Sequence, residues 1–440
     1  MRARVESVLA RHVQPGDSVS VGYSGGIDSS VLLHVTLGIA PALDCSVSAL
    51  HVNHGISSNA ASWTRFCRAT CATLGVPFKS TKASLPPGSS VEARARSARY
   101  AAFAEQRASF VLLAHNLDDQ AETVLLQLLR GAGPKGLSAM PIARALSATG
   151  AHTPGSGAKA PVILRPLLDV PRSAIADYAR AHAVQWIEDE SNASSAHDRN
   201  FLRRDVLPVV ESRHPGYRCT LSRAARHMSE AVALLDELAA DDGACADALS
   251  VSRLRALSVP RAKNVLRAFL AQRGILMPPA VRLEEGVRQL MHGARGTRLR
   301  IDLGSHVLAR FGDQLRLVRS PLPAQAADRP WAGEDALELA QGTLQLRPTL
   351  GSGISLQRLR AAPVSVRVRR GGERLRVDAR RPRRSLKNLL QEARVPHWQR
   401  EGLPLLFSGD TLVCVPGIGI DPAYRAAEHE TGIELLWITL

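Results

Sequence analysis

The segment Tyr23-Ser24-Gly25-Gly26-Ile27-Asp28-Ser29-Ser30 lies between an apolar run at 18–23 and a helical pattern at 29–38. The apolar run alternates as a buried strand does, and the serine and two glycines that follow break it. The helical pattern begins soon afterwards. This order predicts a strand, a tight turn and a helix, which is the repeating unit of a parallel sheet.

The flanking sequence repeats the same order of patterns. An opening helix is predicted at 5–12, and a loop or hairpin at 143–161, where Ala, Gly and Ser dominate. The other predicted elements are strands at 45–52, 78–82, 110–114 and 162–168 and helices at 60–74, 91–107, 118–129 and 172–182. Strands that alternate with helices predict an α/β fold with a mostly parallel, doubly wound sheet.

Length and composition predict further domains after this sheet. The chain has 440 residues, more than one ordinary domain of about 100–200 residues. We expect a catalytic domain at 1–215 and a mainly helical, substrate-facing domain at 216–320. A proline-containing linker is expected at 321–335, followed by a small, basic α+β domain at 336–440.

Charge is concentrated in two stretches of the chain. The formal net charge is +16, and residues 251–300 hold 11 Lys and Arg against 2 acids. Residues 351–400 hold 14 against 3, whereas residues 401–440 hold 1 against 6. A field of this size attracts polyanions, so these stretches predict contact with nucleic acid. The alternative is an arginine-rich proteome, which would not concentrate the charge locally.

The sequence argues against several broad classes of protein. No apolar run is long enough to cross a bilayer, and the amino terminus is too often charged to form a signal-peptide core. The six cysteines form no CxxC pair, so neither a zinc site nor a disulfide framework is favoured. We therefore expect a cytoplasmic protein without a membrane span, and its oligomeric state stays open.

The glycine-rich segment has the chemistry of a phosphate site. Glycines allow close backbone approach, and free amides at a helix amino terminus favour an anion. Ser24, Ser29 and Ser30 add hydroxyl donors, but no GKS or GKT sequence is present, so this is not a Walker loop. It resembles the SGGxDS pyrophosphate loop of enzymes that cleave ATP between the α- and β-phosphates. The alternative is an ordinary glycine-rich turn.

A second polar segment, HNLDDQAET at 115–123, follows the fourth predicted strand. Asp119 and Glu122 are three apart on a predicted helix and share a face, which suits an ammonium group or, through Asp119, a magnesium ion. The alternative is that Asp118 and Asp119 cap the helix. His115 is either a core histidine or part of the site, and the sequence does not separate these roles.

These segments together resemble the bacterial tRNA(Ile)-lysidine synthetase family of the pyrophosphate-loop ATPase superfamily. The resemblance extends to LRPLL at 164–168, EDESN at 188–192 and DRNFLR at 198–203, and to the carboxyl-terminal segments from Val366 to Arg400. One departure is Glu190, where the family's DxSN segment commonly has proline, and its effect on the local turn stays open.

The resemblance implies a ligase that joins free L-lysine to the wobble cytidine of the isoleucine tRNA with a CAU anticodon, using ATP and Mg²⁺. It implies that Ser24, Gly25, Gly26, Ile27, Asp28 and Ser29 bind ATP, with Asp28 also a metal ligand. Arg96 and Arg99 would neutralise phosphate oxygens, and Asp119 and Glu122 would bind lysine. Of these, Asp28, Arg96, Asp119 and Glu122 are the expected catalytic residues.

The basic carboxyl-terminal domain is expected to bind the tRNA body. The alternative is that its arginines decorate a solvated strand edge. The residues expected to contact tRNA are Arg367, Arg369, Arg370, Arg380, Arg381, Arg383 and Arg384.

Three other functions compete with this interpretation. A tRNA thiolase would need a cysteine pair or iron–sulfur ligands in CxxC spacing. A small-molecule amidating synthetase would not need a basic carboxyl-terminal domain. A non-enzymatic RNA-binding protein would leave the glycine-rich segment and HNLDDQAET without a purpose.

Overall fold

A six-stranded sheet organises the amino-terminal part of the chain in the computed structural model. The structure describes residues 1–53, 55, 59–83, 91–146, 160–188, 198–293, 299–320 and 328–439. They divide into two compact units, unit 1 (Met1–Leu235) and unit 2 (Asp236–Leu440). Among the described residues, none of the helices combines the length and the apolar character needed to cross a membrane.

The sheet of unit 1 has the strand order β3-β2-β1-β4-β6-β5. Every neighbouring pair is parallel except β5 with β6, which is antiparallel. This confirms the predicted mostly parallel sheet, and β5 with β6 forms the hairpin expected near 143–161, of which 147–159 lie outside the described residues. The strands are β1 Ser18–Gly22, β2 Ser46–Asn53, β3 Phe78–Lys82, β4 Phe110–Leu112, β5 Ala143–Ala145 and β6 Val162–Leu164.

The helices of unit 1 follow the strands as expected for crossover connections. They are α1 Arg2–His12, α2 Ile27–Ile39, α3 Ala60–Thr73, α4 Val91–Ala104, α5 Leu117–Leu129, α6 Pro134–Leu137, α7 Arg172–Ala181, α8 Asp198–Phe201, α9 Leu207–Arg213 and α10 Tyr217–Asp241, which runs on into unit 2. A π-helical turn, Leu202–Val206, joins α8 to α9, and a 3-10 turn, Ala40–Leu43, follows α2.

Both faces of the sheet are buried. Along β4, Leu112 belongs to the larger apolar cluster with α1, α2 and α7. Val111 and Leu113 belong to the opposite cluster, which contains Phe103 and Tyr100 of α4. Successive side chains of a strand point to opposite faces, so this division gives a sheet with helices on both sides. Because β1 and β4 are parallel neighbours, the loops at their carboxyl ends lie side by side.

The first part of unit 2 combines helices with a small antiparallel sheet of order β7-β10-β9-β8. The elements are β7 Leu249–Ser250, α11 Val251–Ala256, α12 Val259–Gln272, α13 Ala280–His292, β8 Arg300–Asp302, β9 His306–Phe311 and β10 Gln314–Arg319.

The carboxyl-terminal part of unit 2 is rich in strands with three short helices, as an α+β domain is. Its main sheets have the orders β11-β15-β18-β19-β20 and β12-β13-β21-β14, beside the β16-β17 ribbon. The strands are β11 Arg329–Pro330, β12 Ala336–Leu339, β13 Gly342–Leu350, β14 Ile354–Ser355, β15 Val364–Arg367, β16 Arg374–Leu375, β17 Arg384–Ser385, β18 Leu405–Ser408, β19 Thr411–Val415, β20 Gly419–Ile420 and β21 Thr431–Thr439. The helices are α14 Leu356–Leu359, α15 Leu386–Glu392 and α16 His397–Arg400, and a 3-10 turn spans Pro422–Tyr424.

The end of the expected linker at 321–335 is part of this domain. Arg329 and Pro330 pair with Val366 and Ser365 of β15, and Trp331 is buried at 7% exposure. Proline is tolerated on an edge strand because one side of that strand needs no hydrogen bonds, so the proline pattern alone did not reveal this pairing. Residues 321–327 lie outside the described residues.

Candidate active site

The glycine-rich loop joins β1, a central strand of the sheet, to α2. Gly26 is the N-cap of α2, and no side chain of the described residues caps this helix. The hydroxyl groups of Ser24 and Ser29 lie 3.0 Å apart, and Oγ of Ser29 donates to the carbonyl of Gly26 at 2.9 Å. A loop held by its own serines, with the first amides of a helix uncapped, is suited to binding phosphate.

Gly25 is required by both conformation and space. Its φ is +89°, in the left-handed region, and a Cβ atom there would lie 2.9 Å from Sγ of Cys67 and 2.9 Å from Cδ1 of Ile187. The carbonyl of Gly25 also accepts a hydrogen bond from the amide of Ile187 at 3.0 Å. The loop is therefore fixed against α3 and the segment after α7, and side chains larger than glycine are excluded.

Asn116 connects the loop to the second polar segment. Its side-chain nitrogen donates to Oδ1 of Asp28 at 3.2 Å, and its side-chain oxygen accepts from the amide of Asp119 at 3.0 Å. Burial raises the pKa of Asp28, and the nearby Asp119 carboxylate adds to this, although the charge of Arg172 opposes it. Asn116 is itself buried, so the two carboxylates share one fixed neighbour.

Asp119 and Glu122 share a face of α5, as the sequence predicts, but two arginines already contact them. Nε and Nη2 of Arg203 donate to the two oxygens of Glu122 at 2.6 and 3.0 Å. Arg199 donates from Nε to Oε2 of Glu122 at 2.7 Å and from Nη2 to Oδ1 of Asp119 at 3.0 Å. Two carboxylates and two guanidinium groups thus form one cluster, which we call the acid–arginine cluster (Asp119, Glu122, Arg199 and Arg203).

The two acids of the cluster have different environments. Glu122 is 1% exposed and is chelated by Arg203, whereas the side chain of Asp119 is 18% exposed. Asp119 also closes a capping box, because its Oδ2 accepts from the amide of Asn116 at 3.0 Å. Burial raises the pKa of Asp119 and the Glu122 charge adds to it, against the opposing charge of Arg199.

The capping alternative is therefore correct for Asp119, but capping is not its only contact. Asp118 serves the structure: its carboxylate accepts from the backbone amide of Arg172 at 2.9 Å and pairs with Arg218 at 2.5 Å. Both contacts tie α5 to neighbouring helices. The sequence left these roles open because caps and ligands use the same residue types.

His115 is a half-buried histidine whose ring is not fully accounted for by hydrogen bonds among the described residues. Its Nδ1 is buried and has no hydrogen-bond partner among the described residues. Burial lowers its pKa well below the usual range, and the charges of Arg165, Arg199, Arg96 and Arg99 lower it further. The imidazole is therefore neutral at physiological pH. The expected phosphate ligands Arg96 and Arg99 lie close enough to lower its pKa by their charge.

The donor set fits a magnesium ion held mainly by substrate phosphates. Among the described residues, Oδ1 of Asp28 accepts from Asn116 and Oδ2 accepts no hydrogen bond. Magnesium commonly uses one or two carboxylates, keeps several waters and takes its remaining ligands from phosphates. Asp28, at the first turn of α2 beside the loop, supplies one such carboxylate.

The arginines expected to bind tRNA lie in unit 2, and most have partners inside it. Arg367 donates to the carbonyl of Gly409 at 2.6 Å and lies over the ring of Phe407, 4.4 Å from its centroid. Six of the seven pair with acids: Arg367 and Arg370 with Asp328, Arg369 with Glu373, Arg381 with Asp378, Arg383 with Asp421 and Arg384 with Glu392.

Exposure separates these arginines further. Arg370, Arg380, Arg381 and Arg383 are exposed, whereas Arg367, Arg369 and Arg384 are half-buried. Contact with tRNA stays a prediction for all seven, and the first group is better placed to reach a phosphate.

The sequence pointed to the glycine-rich loop, Asp28, Asp119 and Glu122, and missed the contacts of Asn116, Arg199 and Arg203. Asn116 lies in HNLDDQAET and both arginines lie in DRNFLR, so each segment carried a signal. The sequence does not show that the two arginines pair with acids about 80 positions earlier in the chain. Most of EDESN, including Glu190, falls at 189–197, outside the described residues.

The two buried cysteines of α3, Cys67 and Cys71, are poorly suited to chemistry of the thiolase type. Burial raises the pKa of Cys67 to about 12 and that of Cys71 to about 11. A thiol that stays protonated is a poor nucleophile and a poor metal ligand.

Comparison with known proteins identifies domains along most of the chain. Residues 1–210 match the PP-loop domain, residues 249–316 the TilS substrate binding domain and residues 364–437 the TilS substrate C-terminal domain. The matched PP-loop range contains the glycine-rich loop, Asn116 and the acid–arginine cluster.

Curated relatives cover nearly the full length. The tRNA(Ile)-lysidine synthase of Nitrosomonas europaea is 44% identical and the match covers 98% of this chain and 93% of the relative. That of Ralstonia nicotianae is 39% identical, with 96% and 92% covered, and that of Aromatoleum aromaticum is 39% identical, with 98% and 99% covered. These matches show that the chain belongs to the tRNA(Ile)-lysidine synthase family.

Proposed function

We propose that this ATP-dependent ligase joins free lysine to the wobble cytidine of the CAU-anticodon isoleucine tRNA through an adenylated base, forming lysidine. The observation that carries the proposal is the link made by Asn116 between Asp28 of the ATP loop and Asp119 of the acid–arginine cluster. An enzyme that activates a base and then adds an amine needs the phosphate site and the amine site within reach of one base.

In the first step, the exocyclic oxygen of the cytosine ring attacks the α-phosphate of ATP, and pyrophosphate leaves. Ser24, Ser29 and the uncapped amides of α2 hold the phosphates, and Arg96 helps to neutralise them. Asp28 would hold a magnesium ion, which would supply positive charge against the negative charge that develops at phosphorus. Because the loop is fixed by its own hydrogen bonds, it needs little rearrangement to accept the nucleotide.

In the second step, the side-chain amine of lysine attacks the activated ring carbon, and AMP leaves. The amine must lose a proton to act as a nucleophile, and Asp119 is the better acceptor because burial raises its pKa. Glu122 is chelated by Arg203 and holds the two arginines in place. We therefore assign lysine binding to both acids, with proton acceptance at Asp119 and positioning at Glu122.

The substrate tRNA also needs contacts away from the ATP loop and the acid–arginine cluster. The basic surface of unit 2 supplies phosphate contacts, and bases of an anticodon loop leave their stack at low cost because they are already partly unpaired. A tRNA substrate and six cysteines without a disulfide fit an enzyme of the cytoplasm.

The test is direct. The protein is incubated with a CAU-anticodon isoleucine tRNA transcript, ATP, magnesium and isotopically labelled lysine, and the digested nucleosides are weighed. The expected outcome is one lysidine per tRNA, with AMP and pyrophosphate released in equal amounts. Release of ADP and phosphate, or labelling without ATP, would overturn the proposed chemistry.

A further inference from the structure

Three arginines of unit 1 gather around Tyr100. Nη2 of Arg165 donates to the Tyr100 hydroxyl at 3.2 Å, and Nη2 of Arg96 lies 3.4 Å from the same oxygen. The guanidinium carbons of Arg96 and Arg144 lie 5.1 and 5.7 Å from the centroid of the ring. Among the described residues, no carboxylate lies within ion-pair distance of Arg96, Arg144 or Arg165. We call this set the Tyr100 cluster (Arg96, Tyr100, Arg144 and Arg165).

This differs from the neighbouring arginines, which have acidic partners. Arg199 and Arg203 pair with Asp119 and Glu122, and Arg218 pairs with Asp118. Like charges brought together without a counter-charge repel each other, so such an arrangement persists only where something else offsets the repulsion. In an enzyme that binds RNA, that is most simply an anionic ligand.

The buried member of the cluster, Arg165, is fixed by hydrogen bonds. Arg165 is 1% exposed and donates from Nη1 to the carbonyl of Pro141 at 2.8 Å. Its Nε, like Nδ1 of His115, is buried and has no hydrogen-bond partner within the described part of the chain. Burial lowers the pKa of Arg165, and the charges of Arg144 and Arg96 add to this effect although Tyr100 opposes it. Arg165 is thus the buried donor to the Tyr100 hydroxyl, whereas Arg96 and Arg144 are exposed to solvent.

The position of the cluster separates it from the ATP loop. Arg144 lies on β5 and Arg165 directly follows β6, on the far side of β4 from β1. With strands spaced by about 4.8 Å, β6 and β5 lie roughly 10 and 14 Å from β1. A nucleotide whose phosphates bind the loop after β1 does not contact Arg144. Arg144 can therefore bind a different anion.

We propose that Arg144, held with Arg96 on Tyr100 and backed by Arg165, binds a phosphodiester group of the anticodon loop beside the cytidine that reacts. Guanidinium groups suit phosphate because they donate two hydrogen bonds in one plane. A flipped base needs its backbone held next to the pocket, and backbone contacts set position without reading sequence. The assignment rests on the proposed function, since it uses the same RNA substrate.

The test measures Arg144→Ala in the lysidine assay, with tRNA, ATP and lysine varied in turn. Arg144 is exposed, so its loss leaves the fold intact. The KM for tRNA should rise about tenfold, the factor expected for one charge-assisted hydrogen bond, while the KM values for ATP and lysine stay unchanged. The salt dependence of tRNA binding should also fall by roughly 0.7 in the log–log slope, as for one single-strand phosphate contact.

Two further variants control for charge and for geometry. Arg180→Ala removes another exposed arginine, which pairs with Asp177 at 3.3 Å, and it should change none of these values. Tyr100→Phe keeps the ring but removes the oxygen that positions Arg165 and Arg96, and it should raise the KM for tRNA by a smaller factor. An unchanged KM for tRNA in Arg144→Ala would overturn the assignment. If Arg144→Ala raises the KM for ATP alone, the cluster binds the triphosphate of ATP and the proposal is wrong. Absence of lysidine with the wild-type enzyme would instead reject the proposed function.

Discussion

The side-chain nitrogen of Asn116 donates to Oδ1 of Asp28 at 3.2 Å across 88 positions of sequence. Asn116 is also the N-cap of α5, where its oxygen accepts from the amide of Asp119. One buried amide therefore fixes the first turn of α2 against the first turn of α5. These are the turns that carry the proposed metal ligand and the proposed lysine ligand.

Substitutions at Asn116 should separate its hydrogen bond to Asp28 from its capping of α5. Asn116→Ser keeps a capping oxygen but loses the donor to Asp28, so we expect slower adenylation with little loss of stability. Asn116→Ala loses both, and its free energy of unfolding should fall by about 0.5–2 kcal/mol, the usual effect of removing a cap. Denaturant unfolding and single-turnover adenylation distinguish them. Equal adenylation rates in Asn116→Ser and wild type would show that the bond to Asp28 is incidental.

Asp28→Asn should abolish adenylation and yet stabilise the folded protein at neutral pH. Burial raises the pKa of Asp28, so the folded state binds its proton more tightly than the unfolded state does. Stability is then lost as pH rises through the unfolded and folded pKa values, and the ionised group destabilises the fold at neutral pH. The amide removes this effect.

The measurement is the melting temperature of both proteins over a pH series. The variant should melt higher at neutral pH, and the difference should shrink as the pH falls below the pKa of a free aspartate. A variant that melts lower at neutral pH would mean that the attraction of Arg172 outweighs burial.

The two acids of the acid–arginine cluster should give different losses. Asp119→Asn should raise the KM for lysine by an amount equivalent to about 1.5–3 kcal/mol, with a smaller effect on ATP use. Glu122→Gln leaves Arg199 and Arg203 without their main partner. Its free energy of unfolding should fall by roughly 2–4 kcal/mol, below the full buried-pair range because both arginines are partly exposed. Chemical unfolding with lysine and ATP titrations checks both. Equal losses of lysine and ATP use in Asp119→Asn would contradict the lysine assignment.

Gly25→Ala should disable the ATP loop. The residue has φ +89°, and the new methyl group would lie 2.9 Å from both Cys67 and Ile187. Gly38 is the matched control, since it lies within α2 and a Cβ there meets nothing within 4 Å. Gly38→Ala should raise the free energy of unfolding by about 0.5–1 kcal/mol through helix propensity. ATP binding measured by calorimetry should vanish in the first variant and persist in the second.

The exposed arginines of unit 2 should govern the salt dependence of tRNA binding. Replacing Arg380 and Arg381 together with alanine should reduce the log–log salt slope by roughly 0.9 per lost duplex phosphate contact. Arg367→Ala should instead lower stability by about 1–2 kcal/mol, because it loses the Gly409 carbonyl and the Phe407 ring. Filter binding at several salt concentrations checks the first outcome. An unchanged slope in the double variant would show that Arg380 and Arg381 do not contact tRNA, and the basic stretch at 251–300 would then be the better candidate.

The sequence by itself determined the parallel sheet, the loop after its first strand and the acids of α5. These features are local: alternation, a glycine break and helical spacing are set by neighbours along the chain. The linker at 321–335 was predicted too long at its carboxyl end, because the pairing of Arg329 and Pro330 with β15 depends on a distant strand.

Only the tertiary structure decided which side chains neutralise one another. Arg199 and Arg203 reach Asp119 and Glu122 from 77 to 84 positions away, and the pattern of either segment alone does not reveal the partner. The same holds for the arginines around Tyr100, which come from α4, β5 and the residue after β6. Charge and residue type are written in the sequence, but distance and burial arise when the sheet assembles, and they decide whether a charge is paired or left for a ligand.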